Sequence, residues 1–170
     1  MTAADAIDGQ HMRRVLGHFA TGVVAVTGIQ ADTGAPVGLA ANSFTSVSLD
    51  PPLVAFCVGK ASTSWPLVRQ IPRFSINILA EDQEEVCRRL ATKGADKFRG
   101  LSWDHSPGGA PILAGGLAWI EAELADEHEA GDHTIVVARV RHLEAFDRDP
   151  LLFFRGGYGR IATDRAEVRR

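Results

Sequence analysis

The sequence is short of cysteine, of basic charge and of long apolar runs, and each shortage removes a class of function. Only two cysteines occur in 170 residues. Cys57 lies in an apolar run and Cys87 in a helical stretch, with no motif spacing, so they read as small buried hydrophobes and not as a disulfide frame or zinc site. The formal net charge is −3 and the isoelectric point near 6.0. A chain that grips phosphate backbones carries a basic excess, so no nucleic acid partner is expected. No apolar run reaches the roughly 18 residues of a membrane span. The start MTAADAIDG has neither the basic residues nor the apolar stretch of a signal peptide. No membrane partner and a cytoplasmic location are therefore expected. HExxH and CxxC are missing, and His128 and His133 would fall on opposite faces of a strand, so no metal site is expected. There is no G-x-S-x-G and no P-loop. The run Gly157-Tyr158-Gly159-Arg160-Ile161-Ala162 matches G-x-G-x-x-A, but without a helix and strand after it a dinucleotide fold is not expected.

The length and an ordinary globular composition predict one domain over residues 1–170 with a core of its own. Met12, Val15, Leu16 and Phe19 recur at helical spacing behind an Asp8 N-cap, with Ile7 and Met12 at staple positions, and that helix should end near Thr21-Gly22. VVAVTG begins a strand, and Asp32-Thr33-Gly34 makes a turn. The stretch AANSFTSVSLDPPLVAFCV reads as two strands about Pro51-Pro52. Ser62-Thr63-Ser64 before Trp65-Pro66 predicts a helix start, and the helix stops before Pro72. Phe74, Ile76 and Ile78 alternate with Ser75 and Asn77 as in a half-buried strand. Asp82 and Glu85 resemble a capping box for a helix that carries the pairs Glu84/Arg88 and Glu85/Arg89 and ends at Gly94. Residues 101–116 show no periodicity and are expected to form a loop. LAWIEAEL and TIVVARVRHL are long strands, and LLFF with RGGYG suggests a short pair. Strands dominate without regular βαβα alternation, so an antiparallel barrel with appended helices is the expected architecture.

Asn42, Ser43, Thr45, Ser46 and Ser48 put short uncharged hydrogen-bonding groups on both faces of a strand. An edge strand facing water would tolerate them. A flat polar ligand, such as an isoalloxazine ring with acceptors and an imide N–H along one edge, would use them. Ser62-Thr63-Ser64 fits either simple capping or a phosphate site, with Lys60 adding a cation nearby. Lys93, Lys97 and Arg99 on a glycine-containing turn are either solvated charge or further phosphate contacts. His133, in a Gly-Asp-His turn ahead of an apolar strand, is placed to meet a bound partner or is structural.

The order of these segments resembles the short-chain flavin reductases, the reductase halves of two-component flavin monooxygenases. The resemblance runs through LGHFATGVVAVTG, GLAANSFTSVSLDPPLVAFCV, FSINIL, DKF, GDHTIVVARV and PLLFFRGGYG, about residues 12 to 161. It implies an FMN-binding split β-barrel of six strands in Greek-key order, and a homodimer. It implies that Asn42, Ser43, Phe44, Ser46 and Ser48 line the flavin ring. Ser62, Thr63 and Ser64 would approach the ribityl phosphate, with Lys97 and Phe98 nearby. His133 would face the nicotinamide. The implied activity is hydride transfer from NADH or NADPH to the N5 atom of FMN or FAD, the reduced flavin passing to a separate monooxygenase component. The alternative is the same fold with a tightly held flavin, acting as an oxidase, in electron transfer, or as a non-catalytic flavin- or haem-binding protein.

Overall fold

The computed structural model describes residues 7–94 and 96–162. In chain order it contains α1 (Gly9–Leu16), β1 (Thr21–Gly22), β2 (Val24–Ile29), β3 (Pro36–Ala41), β4 (Thr45–Leu49), β5 (Pro52–Gly59), α2 (Trp65–Val68), β6 (Phe74–Ile78), α3 (Glu84–Ala91), β7 (Trp103–His105), β8 (Pro111–Leu113), β9 (Ala118–Ala130), β10 (His133–Ala145), β11 (Leu152–Phe154) and β12 (Gly157–Gly159). Seven strands form one antiparallel sheet in the order β3-β2-β6-β9-β10-β5-β4. That is one more than the six implied by the resemblance, because the chain reverses at residues 50–51 and lays β4 back along β5. The sheet curls until β3 touches β5, yet its edge strands β3 and β4 do not pair with each other. This is an open, split barrel.

Alternation along β2 divides the interior. Val24 and Val26 face the barrel lumen with Leu39, Phe56, Phe74, Ile76 and Val136. Val23 and Ala25 face outward, against Leu79, Cys87, Leu90, Phe98 and Leu151 beneath α3. The one-turn helix α2 plugs the lumen. Trp65 packs edge-on against Phe56 at 5.5 Å and Phe74 at 6.2 Å, and its indole N–H donates to Glu127 Oε1 at 2.8 Å. Complete burial of rings such as Phe56 and Phe74 contributes about 2–3 kcal/mol each.

Several expectations are corrected. Helix α1 ends at Leu16, short of the expected Thr21-Gly22, and buries no residue; Met12, Val15 and Leu16 on it and Phe19 beyond it are exposed. Asp8 does cap it, accepting from the N–H groups of Gln10 and His11. Asp82 is not a cap, because Arg148 takes its carboxylate at 2.6 Å; Gln83 stands at the N-cap of α3 and folds its side chain onto Ala80 N–H and Ala114 O. Glu84 and Arg88 pair as expected, while Arg89 donates to the Arg99 carbonyl. Residues 101–116 are not a featureless loop: β7 and β8 form a hairpin laid over β2 and β6. That hairpin explains why β6 is buried on both faces. Ser75 and Asn77 look like the wet side of a half-buried strand, but they lie under β8.

Asn77 ties these layers together. Its Nδ2 donates to Thr27 Oγ1 at 2.9 Å and Ala25 O at 3.2 Å, its Oδ1 accepts from Leu113 N–H at 2.8 Å, and Thr27 donates to Pro111 O at 2.7 Å. Asn77→Ala should therefore strand a buried donor and lower stability by about 2–4 kcal/mol. Urea unfolding measures this, and a loss below about 0.5 kcal/mol would show that the hairpin does not depend on the network.

Candidate functional site

A cavity of about 410 Å³ opens where three chain segments that are far apart in sequence converge. The end of β3 and the bend after it supply Asn42 and Ser43. The end of β5 and the following loop supply Cys57 and Ser62-Thr63-Ser64. The C-terminal end of α3 supplies Thr92 and Lys93, with Lys97 beneath them and His133 on the rim.

The bend at residues 42–44 is held by one side chain. Ser43 Oγ accepts from Cys57 N–H at 2.8 Å and donates to Cys57 O at 3.2 Å. A hydroxyl, donor and acceptor at once, thereby replaces the two backbone bonds of a missing ladder rung. Cys57 is half-buried, not core, and its backbone is what Ser43 grips. Phe44 turns away to pack on the lumen cluster.

The serine cluster divides its labour. Ser62 Oγ accepts from Trp65 N–H at 3.2 Å, so it caps α2. Ser64 occupies the N-cap position but makes no capping bond; its Oγ accepts from Lys97 Nζ at 2.9 Å. Because α2 is a single turn, hydroxyls and the lysine dominate this end of the cavity, and no long helix dipole contributes. Lys97 Nζ also donates to Gly38 O at 3.2 Å and Leu90 O at 3.1 Å. An ammonium has three N–H bonds, and here each has an acceptor. Lys97 thus ties β3, α2 and α3 together, and burial pulls its ammonium below the usual lysine range. Ser64, with its lone pair engaged, keeps its own O–H for whatever occupies the cavity.

At the opposite rim, the two-residue turn Gly131-Asp132 joins β9 to β10, with Gly131 at a φ of 62°. His133 follows it, paired in register with Gly59 of β5. Its Nδ1 lies 2.7 Å from Asp132 Oδ1, and this hydrogen bond holds the Asp132 carboxyl below the usual carboxylate range. A carboxylate only accepts, so Nδ1 carries the proton and Nε2 of the neutral ring is an acceptor. Nε2 lies beside Gly59, 3.7 Å from where a Cβ would stand.

Of the residues expected at a site, the cavity gathers Asn42, Ser43, Ser62, Thr63, Ser64, Lys97 and His133. Ser46 and Ser48 lie on the edge strand β4, outside the cavity lining, and Phe44 and Phe98 pack into the two cores. Lys60 pairs with Glu129 at 3.5 Å, and Arg99 is exposed near Asp96. Sequence reasoning missed Asp132 as the group orienting His133, although the Gly-Asp-His run displayed it, and missed the carbonyls of Gly38 and Leu90, which no side-chain pattern reveals. The donor set, neutral hydroxyls and amide along one side and lysines at one end, suits a flat, hydrogen-bonding ring that carries a phosphate. A flavin nucleotide has that form.

Comparison with known proteins agrees. Residues 16–162 match the family described as flavin reductase like domain. A flavin reductase of Pseudomonas putida is 50% identical over 159 residues, 93% of each chain. The structure of nitrilotriacetate monooxygenase component B from Mycobacterium thermoresistibile superposes with a TM-score of 0.86 at 42% identity, covering 98% of both chains. The NADH:FAD oxidoreductase of Streptomyces globisporus C-1027, solved with NAD and FAD fragments, gives a TM-score of 0.85 at 37% identity, covering 95% of this chain and 99% of that one.

Ser64→Ala should weaken FMN binding about tenfold, the worth of one hydrogen bond to a charged group, and leave riboflavin, which lacks the phosphate, nearly unchanged. Flavin fluorescence titration reads both, and equal losses for the two ligands would remove the phosphate role.

Proposed function

The chain belongs to the family of flavin reductase-like domains, and from that premise we propose that it is an NADH-dependent reductase of free FMN or FAD whose reduced flavin serves a separate monooxygenase component. The observation that carries this is one open cavity that combines a neutral hydrogen-bonding wall, lysines at one end and His133 at the other. The relatives named as a monooxygenase component and as an NADH:FAD oxidoreductase support the nucleotide and the partner. Residues 1–170 act as one catalytic domain, in the cytoplasm.

Bound flavin supplies the hydride acceptor; the chain supplies position and polarity. Asn42 and the Ser43 bend face the ring edge, Ser62, Thr63 and Ser64 face the phosphate, and Lys97 holds Ser64 in place. No acid or base is needed at the flavin nitrogen that accepts the hydride. His133, its Nδ1 fixed by Asp132, presents Nε2 as an acceptor, and a nicotinamide carboxamide N–H is a matching donor. That pairing orients the dihydropyridine over the ring, where reacting atoms must approach to about 3–3.5 Å.

A homodimer completes the assembly. Leu16 at the end of α1 is 57% exposed, Phe19 just after it 78%, and Leu49 of β4 91%. Exposed apolar side chains of that size call for cover, and a two-fold copy is the simplest source. Light scattering should give twice the chain mass, and Leu16→Glu with Phe19→Glu should give the monomer; a monomeric parent would remove this proposal.

Oxidation of NADH by the purified protein should rise with added flavin and saturate. No turnover of NADH with either flavin, from folded protein, would overturn the reductase reading. His133→Ala should raise the KM for NADH about tenfold, as for a lost hydrogen bond, with the flavin KM within about twofold. An unchanged nucleotide KM would remove His133 from the nicotinamide site.

A further inference from the structure

A second cavity, of about 680 Å³, shares no lining residue with the first. It lies where the β7–β8 hairpin, the start of β9 and the end of β10 meet. Two of the three tryptophans in the sequence, Trp103 and Trp119, wall it together with Phe146. Interior hydrogen bonds set those walls. Asn77 Oδ1 takes the N–H of Leu113 at 2.8 Å, Gln83 Nε2 donates to Ala114 O at 3.0 Å, and Phe146 N–H donates to Leu117 O at 2.8 Å. The charge of the cavity is one-sided. Arg148 lines one end, but Asp82 takes its guanidinium at 2.6 Å. Asp104 and Glu144 also line it, and neither has an ion-pair partner among the described residues. The Asp104 carboxylate accepts only from His105 N–H, at 2.8 Å, so its charge is not cancelled. Glu144 stands directly opposite Trp119 in the β9–β10 register, which puts a carboxylate and an indole side by side. Trp119 is only 9% exposed, yet its indole N–H, without a hydrogen-bond partner among the described residues, stays open to solvent. The opening that this side chain lines is the cavity.

We propose that this second cavity binds a small organic cation with an apolar body, a substituted or quaternary ammonium. The inference does not rest on the flavin reading, because the two cavities have no residue in common. A pre-formed hollow with aromatic walls and a few polar groups is the usual form of a small-molecule site. An ammonium clothed in carbon is drawn to the faces of tryptophan and phenylalanine and needs nearby negative charge more than directed hydrogen bonds. Trp103, Trp119 and Phe146 supply the faces, and Asp104 and Glu144 supply the charge. The free indole N–H of Trp119 adds a donor for an acceptor oxygen on the same ligand. An anion would meet two carboxylates and find the arginine already engaged. A hydrated metal ion would gain nothing from aromatic walls, and no group of three or more metal-ligating side chains occurs among the described residues.

Acetylcholine carries a quaternary ammonium and an acceptor carbonyl, and 3,3-dimethylbutyl acetate is its uncharged isostere. In calorimetric titration of the purified protein acetylcholine should saturate a single site, and the isostere should bind about tenfold more weakly, the worth of a cation held on aromatic faces. Equal affinities would make the hollow merely apolar and overturn the proposal, as would no saturable binding of acetylcholine. Tighter binding of phenylacetate than of acetylcholine would give the site to Arg148 and overturn it too. Saturating FMN should leave the acetylcholine titration unchanged; competition would put the cation in the first cavity, and the proposal falls. Glu144→Gln, at an exposed position, should weaken acetylcholine about threefold, as for an exposed charge contact, and leave flavin-stimulated NADH oxidation unchanged. Trp103→Leu should weaken it about tenfold. Full affinity in both variants would place the cation elsewhere. If Phe146→Asp turns a dimer into a monomer by light scattering, a second copy of the chain covers the hollow and the cation site is refuted.

Discussion

The site exists because the two edge strands of the curled sheet are consecutive in the chain. Once β3 has come round to β5, the chain must leave β3, turn the corner at residues 42–44 and run back as β4 on the far side of β5. No backbone ladder can span that corner, so a gap is built into the topology. Ser43 resolves it with one hydroxyl that satisfies both the N–H and the C=O of Cys57. The corner is thereby fixed while the gap stays open. A larger side chain there would fill the gap, and an apolar one of the same size would leave two Cys57 backbone groups without partners.

The same economy governs the lysine end. An ammonium withdrawn from water is tolerated only where acceptors replace its hydration. Gly38, Ser64 and Leu90 do so from three elements, so the charge acts as a tie before it acts on any ligand. The outer core beneath α3 sets the position of Leu90, and the lumen core sets that of Trp65 and hence of Ser64. Geometry at the cavity is therefore coupled to packing on both faces of the sheet. Flavin affinity should depend on core residues that never touch flavin.

Much of this was legible in the residues. The two long strands that became β9 and β10, the Asp8 cap, the turn after residue 31 and the polar run from Asn42 followed from period and turn chemistry. What was hidden was non-local. Ser75 and Asn77 have the alternation of a wet face, and only the β7–β8 hairpin, built of three-residue strands with Gly and Pro between them, makes that face an interior. The α1 stripe has a core helix's spacing, yet among the described residues it stays exposed. Within the site, the hydroxyls were visible as a cluster, but their division was not. Ser62 and Ser64 are two residues apart and differ in role because Lys97, brought in from a loop beyond α3, reaches only one of them.

Openness is itself a functional constraint. Asn42, Ser43, Thr92 and Lys93 are all exposed rim residues, so a ligand in the first cavity keeps much of its surface in water. Buried area does not convert simply into affinity, since ordering and desolvation costs come first. Yet a ligand left half in solvent gains little hydrophobic free energy to offset them. Such a site suits a flavin that must depart once reduced. It also explains why the fixed groups are few and rigid: Ser43 bound at both ends, Lys97 held at three points, His133 turned by Asp132. When a ligand is held loosely, productive geometry has to come from the groups that meet it, and these three positions are where the chain has already surrendered its freedom.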